Sequence, residues 1–108
     1  MNVLERFLKY VKIDTQSDEA TGTSPSTMKQ HDLANVIIRE LEDLEASDIF
    51  YDKEHCYVYA TVAASQGCEE APVIGFIAHM DTSPAMSGTN IKPRIVKAYD
   101  GQDIVLNE

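Results

Sequence analysis

At 108 residues, 44% of them hydrophobic, the chain has the length and apolar content of one globular unit with a modest core. Lys and Arg total 9 against 18 for Asp and Glu, and the formal charge of −9 repels phosphate backbones and anionic lipid, which excludes nucleic acid and membrane surfaces as expected partners. No apolar run approaches the roughly 20 residues that span a bilayer, and MNVLERFLKY lacks a signal-peptide core, so the expected location is cytoplasmic.

Residues 2–12 set Val3, Leu4, Phe7, Leu8 and Val11 at helical spacing, with Asn2 as N-cap and Glu5 in the capping-box position. DTQSDEATGTSPST follows, and its Ser, Thr, Asp and Gly favour local side-chain to backbone bonds over regular structure. Ser24 then reads as an N-cap with Pro25 at the first helical position, predicting a second helix over 25–46. Leu33, Ile37, Leu41 and Leu44 form its apolar stripe, flanked by Val36. His31 and the acidic residues Glu40, Glu42, Asp43 and Glu45 are assigned to the solvated side.

From residue 49 the period changes from 3.6 to 2. IFY and CYVYATVAA, separated by DKEH, predict a hairpin in which Tyr57 and Tyr59 are packing residues. Cys56 and Cys68 lack Cys-x-x-Cys spacing and read as free thiols. His55 adjoins Cys56, but neighbours on an extended backbone face opposite ways, so a surface histidine beside a half-buried cysteine is expected rather than a shared metal. VIGFIA, residues 73–78, is apolar on both faces, as a central strand covered on both sides would be. The last segment, IKPRIVKAYDGQDIVLNE, predicts two short strands. Asp100, Gly101 and Asp103 make a hairpin turn between them, since they supply too few oxygens for a calcium loop.

The expected fold class is α/β, a partial three-layer sheet with helices, and only two helices are visible to cover it. His79 and Asp81 fall at the carboxyl end of the predicted central strand, where ligand sites of such sheets collect. Two positions apart on extended backbone, they project to one side. The carboxylate can then fix the imidazole, as a metal ligand with its orienting partner or as a general base with its orienting acid. Spacing alone does not separate these from a solvated strand end with a local cap. Ser83, Pro84 and Gly88 are expected to shape the adjoining loop.

IGFIAHMDTSPAMSG resembles the first metal-ligand motif of the peptidase T family, the tripeptide aminopeptidases of the dizinc exopeptidase clan. MNVLERFLKYVKIDTQSDE resembles that family's amino terminus, PSTMKQHDLANVIIRELEDLE its second helix, and IVKAYDGQDIVLNE the segment after the motif. The resemblance implies that His79 ligates one zinc and that Asp81, the catalytic residue carried over, orients it without ligating. Met80 stands where a smaller branched residue such as valine is expected, a change of packing more than of chemistry. Family members are about four times longer, a multi-domain size. Residues 1–108 would therefore be the amino-terminal part of a zinc exopeptidase catalytic domain, without the lid domain, the bridging aspartate, the general-base glutamate and the further ligands.

The implied activity of the complete enzyme is hydrolysis of the amino-terminal residue from tripeptides, with two zinc ions and a short peptide as partner. This chain alone is expected to be inactive and not to retain zinc, because one histidine is fewer than the three ligands a catalytic zinc needs. Unpaired strand edges would favour self-association. Two rival readings are a short non-catalytic binding module on the same scaffold and, less favoured, a small hydrolase in which Ser83 joins His79 and Asp81.

Overall fold

The computed structural model describes residues 1–106; Asn107 and Glu108, the end of the predicted final strand segment, lie outside the described residues. Asn2 opens helix α1, Val3–Tyr10, through the expected capping box: its Oδ1 accepts from Glu5 N at 2.9 Å, and its own N donates to Glu5 Oε2 at 2.7 Å. The helix forms as predicted, but among the described residues its apolar stripe is only partly covered. Val3 is 84% and Phe7 59% exposed, and no residue of α1 is buried.

Helix α2 spans Gln30–Asp43, five residues later at its start than predicted, and Ser24 is not its cap. The reason lies in the side chains after Pro25. Ser26 Oγ accepts from Asp18 N at 3.2 Å and Thr27 Oγ1 donates to Gln16 O at 2.9 Å, which ties residues 26 and 27 to the preceding loop. The chain enters the helix through tight turns instead, with Gln30, His31 and Asp32 N–H groups bonded three residues back. At its end, Ala46 N bonds Leu41 O and Glu45 N bonds Glu42 O while Glu45 adopts φ 57°. This is a Schellman stop made with glutamate in the left-handed position that glycine usually fills.

Two expectations for α2 are corrected. Glu40 is not on a solvated face: it is 7% exposed and receives Lys9 Nζ at 2.7 Å and the Tyr10 hydroxyl, so a carboxylate joins the two helices. His31 is half-buried, with Nδ1 against the Tyr51 hydroxyl of the hairpin and Nε2 shielded from solvent.

Strands β1, Ser47–Asp52, and β2, Tyr57–Thr61, pair antiparallel with Phe50 opposite Tyr59 and Tyr51 opposite Val58, giving the predicted hairpin. Asp52 organises the turn by accepting from the N–H groups of Glu54 and His55 and from His55 Nδ1. Tyr57 and Tyr59 are about half exposed, and their rings meet edge to face. Helix α2 lies on this two-stranded sheet, and Leu33, Ala34 and Cys56 are the buried hydrophobic residues between them. Both cysteines are free thiols, with Cys68 exposed and Cys56 more buried than expected.

Among the described residues the architecture is therefore a small α/β unit of two helices and a two-stranded antiparallel sheet. Residues 73–78 form no strand: Val73, Phe76 and Ile77 are 93–102% exposed, and no described residue bonds their backbone. A segment apolar on both faces needs strands beside it and cover above and below, and the described residues supply neither. Among the described residues the two terminal strands are also absent. Residues 94–105 do reverse direction, with Arg94 Nη2 donating to Val105 O at 3.1 Å, Gly101 at φ 89° and Tyr99 Oη bonded to Gln102 O, but no ladder forms. The accessible area of 9050 Å² compares with about 6,000 Å² for a folded protein of this mass. The radius of gyration, 17.2 Å, likewise exceeds the expected value of about 13 Å. Among the described residues no helix is long and apolar enough to cross a membrane.

Candidate functional site

His79 and Asp81 project to the same side of the extended segment. His79 Nδ1 lies 3.0 Å from Asp81 Oδ1 and 2.9 Å from Asp81 O. A carbonyl and a carboxylate can only accept, so Nδ1 carries the proton and donates to both. In the neutral ring this leaves the Nε2 lone pair free, on a side chain that is 85% exposed. That is the donor state a zinc ion takes from histidine.

The loop that carries Asp81 is held by residues far away in sequence. Residues 15–17 run parallel to Thr82: Ser17 N donates to Thr82 O at 2.9 Å, and Thr82 N donates to Thr15 O at 3.2 Å. Ser17 Oγ also donates to Thr82 O, and Gln16 Nε2 donates to Pro84 O. Thr15 is 2% exposed beneath this bridge. Asp14 locks the inner turn, with Oδ1 accepting from Gln16 N at 3.0 Å and Oδ2 from Lys29 Nζ at 2.9 Å. The Gln16 amide and then the Lys29 ammonium hold the Asp14 carboxyl below its ordinary pKa.

The positioning role of Asp14, Gln16 and Ser17 was not drawn from the sequence. Their signal was the DTQS composition, whose side chains are the kind that bond backbone. Ser83 Oγ accepts from Ala85 N at 3.2 Å and shapes the loop. A groove of about 810 Å³ adjoins His79 and Asp81, with Ile37, Val58, Phe76 and Ile77 among its lining residues. Among the described residues no group of three or more His, Cys, Asp and Glu gathers, so His79 fits as a single ligand and not as a complete centre.

Gly88 closes the back of this arrangement. A Cβ there would lie 2.4 Å from Asp14 Oδ1 and 3.2 Å from its Cγ, against a carboxylate fixed on both oxygens. Gly88→Ala is expected to displace Asp14 and weaken the bridge, at about 1–2 kcal/mol. Amide exchange at Ser17 and Thr82 should accelerate, whereas unchanged exchange would show that the loop absorbs the methyl group.

No family model matches the chain. It is 53% identical over 108 residues to a peptidase T from Alkaliphilus oremlandii, and 53% identical over 107 residues to a peptidase T from Clostridium botulinum. Each match takes in 99% of this chain. The chain is related to peptidase T along its whole length. It spans about a quarter, 26%, of the length of these relatives. The matched region takes in helix α1, the 14–17 turn, helix α2, the hairpin and the His79–Asp81 segment. The peptidase T likeness thus rests on the whole arrangement rather than on a short motif.

Proposed function

We propose that residues 1–108 are the amino-terminal part of the catalytic domain of a zinc-dependent tripeptide aminopeptidase, in which His79 ligates one of two metals and Asp81 orients it. The observation that carries this reading is the His79–Asp81 contact at 3.0 Å, which leaves Nε2 free at an exposed position in a chain related to peptidase T. In the complete enzyme the remaining strands would pair with residues 73–78 and complete a three-layer domain, and the lid domain and the other ligands would come from the same polypeptide. A cytoplasmic location goes with this reading.

Zinc, when bound, would supply Lewis acidity and a water acidified toward neutral pH. Asp81 holds the proton on Nδ1, so Nε2 is presented without a tautomer change. The 15–17 bridge keeps the backbone of Thr82 fixed, and with it the direction in which Asp81 points.

The test is hydrolysis of a tripeptide by a polypeptide extended to the relatives' length. The expected result is release of the amino-terminal residue, loss of turnover on chelation and its return with zinc, while the 108-residue chain is inactive. Turnover that survives chelation, or that is unaffected by His79→Ala, would contradict the assignment.

A further inference from the structure

Helix α2 begins with a cation where helix electrostatics disfavour one. Lys29 is its N-cap residue, yet the side chain makes no capping bond, and positive charge at that end opposes the helix dipole. The side chain turns instead to Asp14, with Nζ donating to Oδ2 at 2.9 Å, and among the described residues no other cation pairs with that carboxylate. Asp14 stands between the helix and the loop that follows Asp81. Its Oδ1 accepts from Gln16 N, and Gln16 Nε2 donates to Pro84 O at 3.0 Å. Gly88 packs so closely that an added Cβ would meet Asp14 Oδ1 at 2.4 Å. The 14–17 turn thus grips the loop near both ends, at 82–84 and at 88. The geometry points to Lys29 as a positioning residue for the site: through Asp14 it holds the 82–88 loop, and with it the direction in which Asp81 meets His79. The inference rests on the reading of those two residues as a metal ligand and its orienting carboxylate.

Two links tie the turn to the start of α2, Lys29 Nζ on Asp14 and the Thr27 hydroxyl on Gln16 O. The first joins two charged groups and is the stronger kind of bond. An exposed ion pair holds little, but this one is partly covered, beside Thr15 at 2% exposure, and both carboxylate oxygens are used. The Gln16 amide and then Lys29 keep the Asp14 carboxyl below its ordinary pKa, so it is charged at neutral pH. Without the ammonium, Oδ2 turns toward water. Gly88 leaves no space on the Oδ1 side, so the movement passes to Gln16 and to the backbone of Thr82 and Pro84.

The test uses the polypeptide extended to the relatives' length. Lys29→Met keeps most of the aliphatic stem and deletes the ammonium. In the metal-free polypeptide, nitrogen-15 imidazole NMR is expected to show a smaller Nδ1-protonated fraction of His79 in this variant. Competition against a chelator is expected to show zinc bound about tenfold more weakly. Lys29→Arg should restore both, because a guanidinium can donate to Asp14 Oδ2. Lys9→Met breaks the ion pair with Glu40, away from the loop, and should lower the urea midpoint while leaving the His79 tautomer and zinc affinity unchanged. That contrast separates positioning from a general loss of stability. A Lys29→Met variant with the unsubstituted tautomer would overturn the inference, as would failure of Lys29→Arg to restore it. Zinc affinity indifferent to His79→Ala would instead contradict the metal reading, and the metal-free tautomer would still decide the role of Lys29, so the two proposals fail separately.

Discussion

Replacing Glu40 with alanine is expected to lower the unfolding free energy by about 2–3 kcal/mol. The carboxylate is 7% exposed and accepts from Lys9 Nζ at 2.7 Å and from the Tyr10 hydroxyl. Arg6 Nε lies 3.1 Å away but is not aimed as a hydrogen-bond donor, so it adds charge more than a bond. Removing Glu40 leaves two cations facing each other and the phenol unpaired, and helix α1, which buries no residue of its own, loses its main attachment. Because the Arg6 and Lys9 side chains are 29% and 43% exposed, the effect falls below that of a fully buried pair.

Urea unfolding followed by helical circular dichroism measures this loss, with Glu42→Ala on the solvated side expected to stay within about 0.5 kcal/mol. Equal effects from the two substitutions would show that α1 is held by something else. The same cluster sets a pH dependence. Glu40 is held below the ordinary carboxylate pKa, first by the Lys9 hydrogen bond and then by Tyr10, so its contribution is present at neutral pH and is lost as pH falls through that lowered value. Tyr10 is pushed up to about 12, first by burial and then by Glu40, so its contribution is complete below pH 10 and is lost as pH rises toward 12.

Asp81→Asn in the longer polypeptide is expected to weaken zinc binding by about 10- to 100-fold with little change in fold, since Asp81 and His79 are 42% and 85% exposed. The amide removes the negative charge beside the ring and can present a donor where Nδ1 needs an acceptor, which favours moving the proton to Nε2. A competition titration against a chelator reads the affinity, and His79→Ala sets the limit for complete loss of this ligand. An affinity equal to that of the unsubstituted polypeptide would mean that Asp81 does not govern the histidine.

What the sequence made legible was local. The capping box at Asn2 and Glu5, the hairpin around Asp52 and the common side of His79 and Asp81 depend on residues close in sequence, a distance over which periodicity and turn chemistry operate. Glu40 was assigned to solvent because a charged residue opposite an apolar stripe ordinarily is. Its burial comes from cations and a phenol some 30 residues earlier, which no helical pattern encodes. Ser24 and Pro25 have the form of a helix start, but Ser26 and Thr27 spend their hydroxyls on the 16–18 loop, and the helix begins later. VIGFIA has the composition of a strand covered on both faces, and among the described residues it is neither a strand nor covered. The strand is absent where its neighbours are absent. The bridge that fixes the site joins residues 65 apart, a relation invisible to any window along the chain.

The central claim is that Asp81 holds the His79 proton on Nδ1 and leaves Nε2 free to ligate. Nitrogen-15 imidazole NMR on the neutral ring of the 108-residue chain tests it directly. The account predicts His79 with Nδ1 protonated, and a smaller Nδ1-protonated fraction when Asp81 is replaced by alanine, which leaves only the residue-81 carbonyl as acceptor. A His79 ring already protonated on Nε2 in the unsubstituted chain would contradict it.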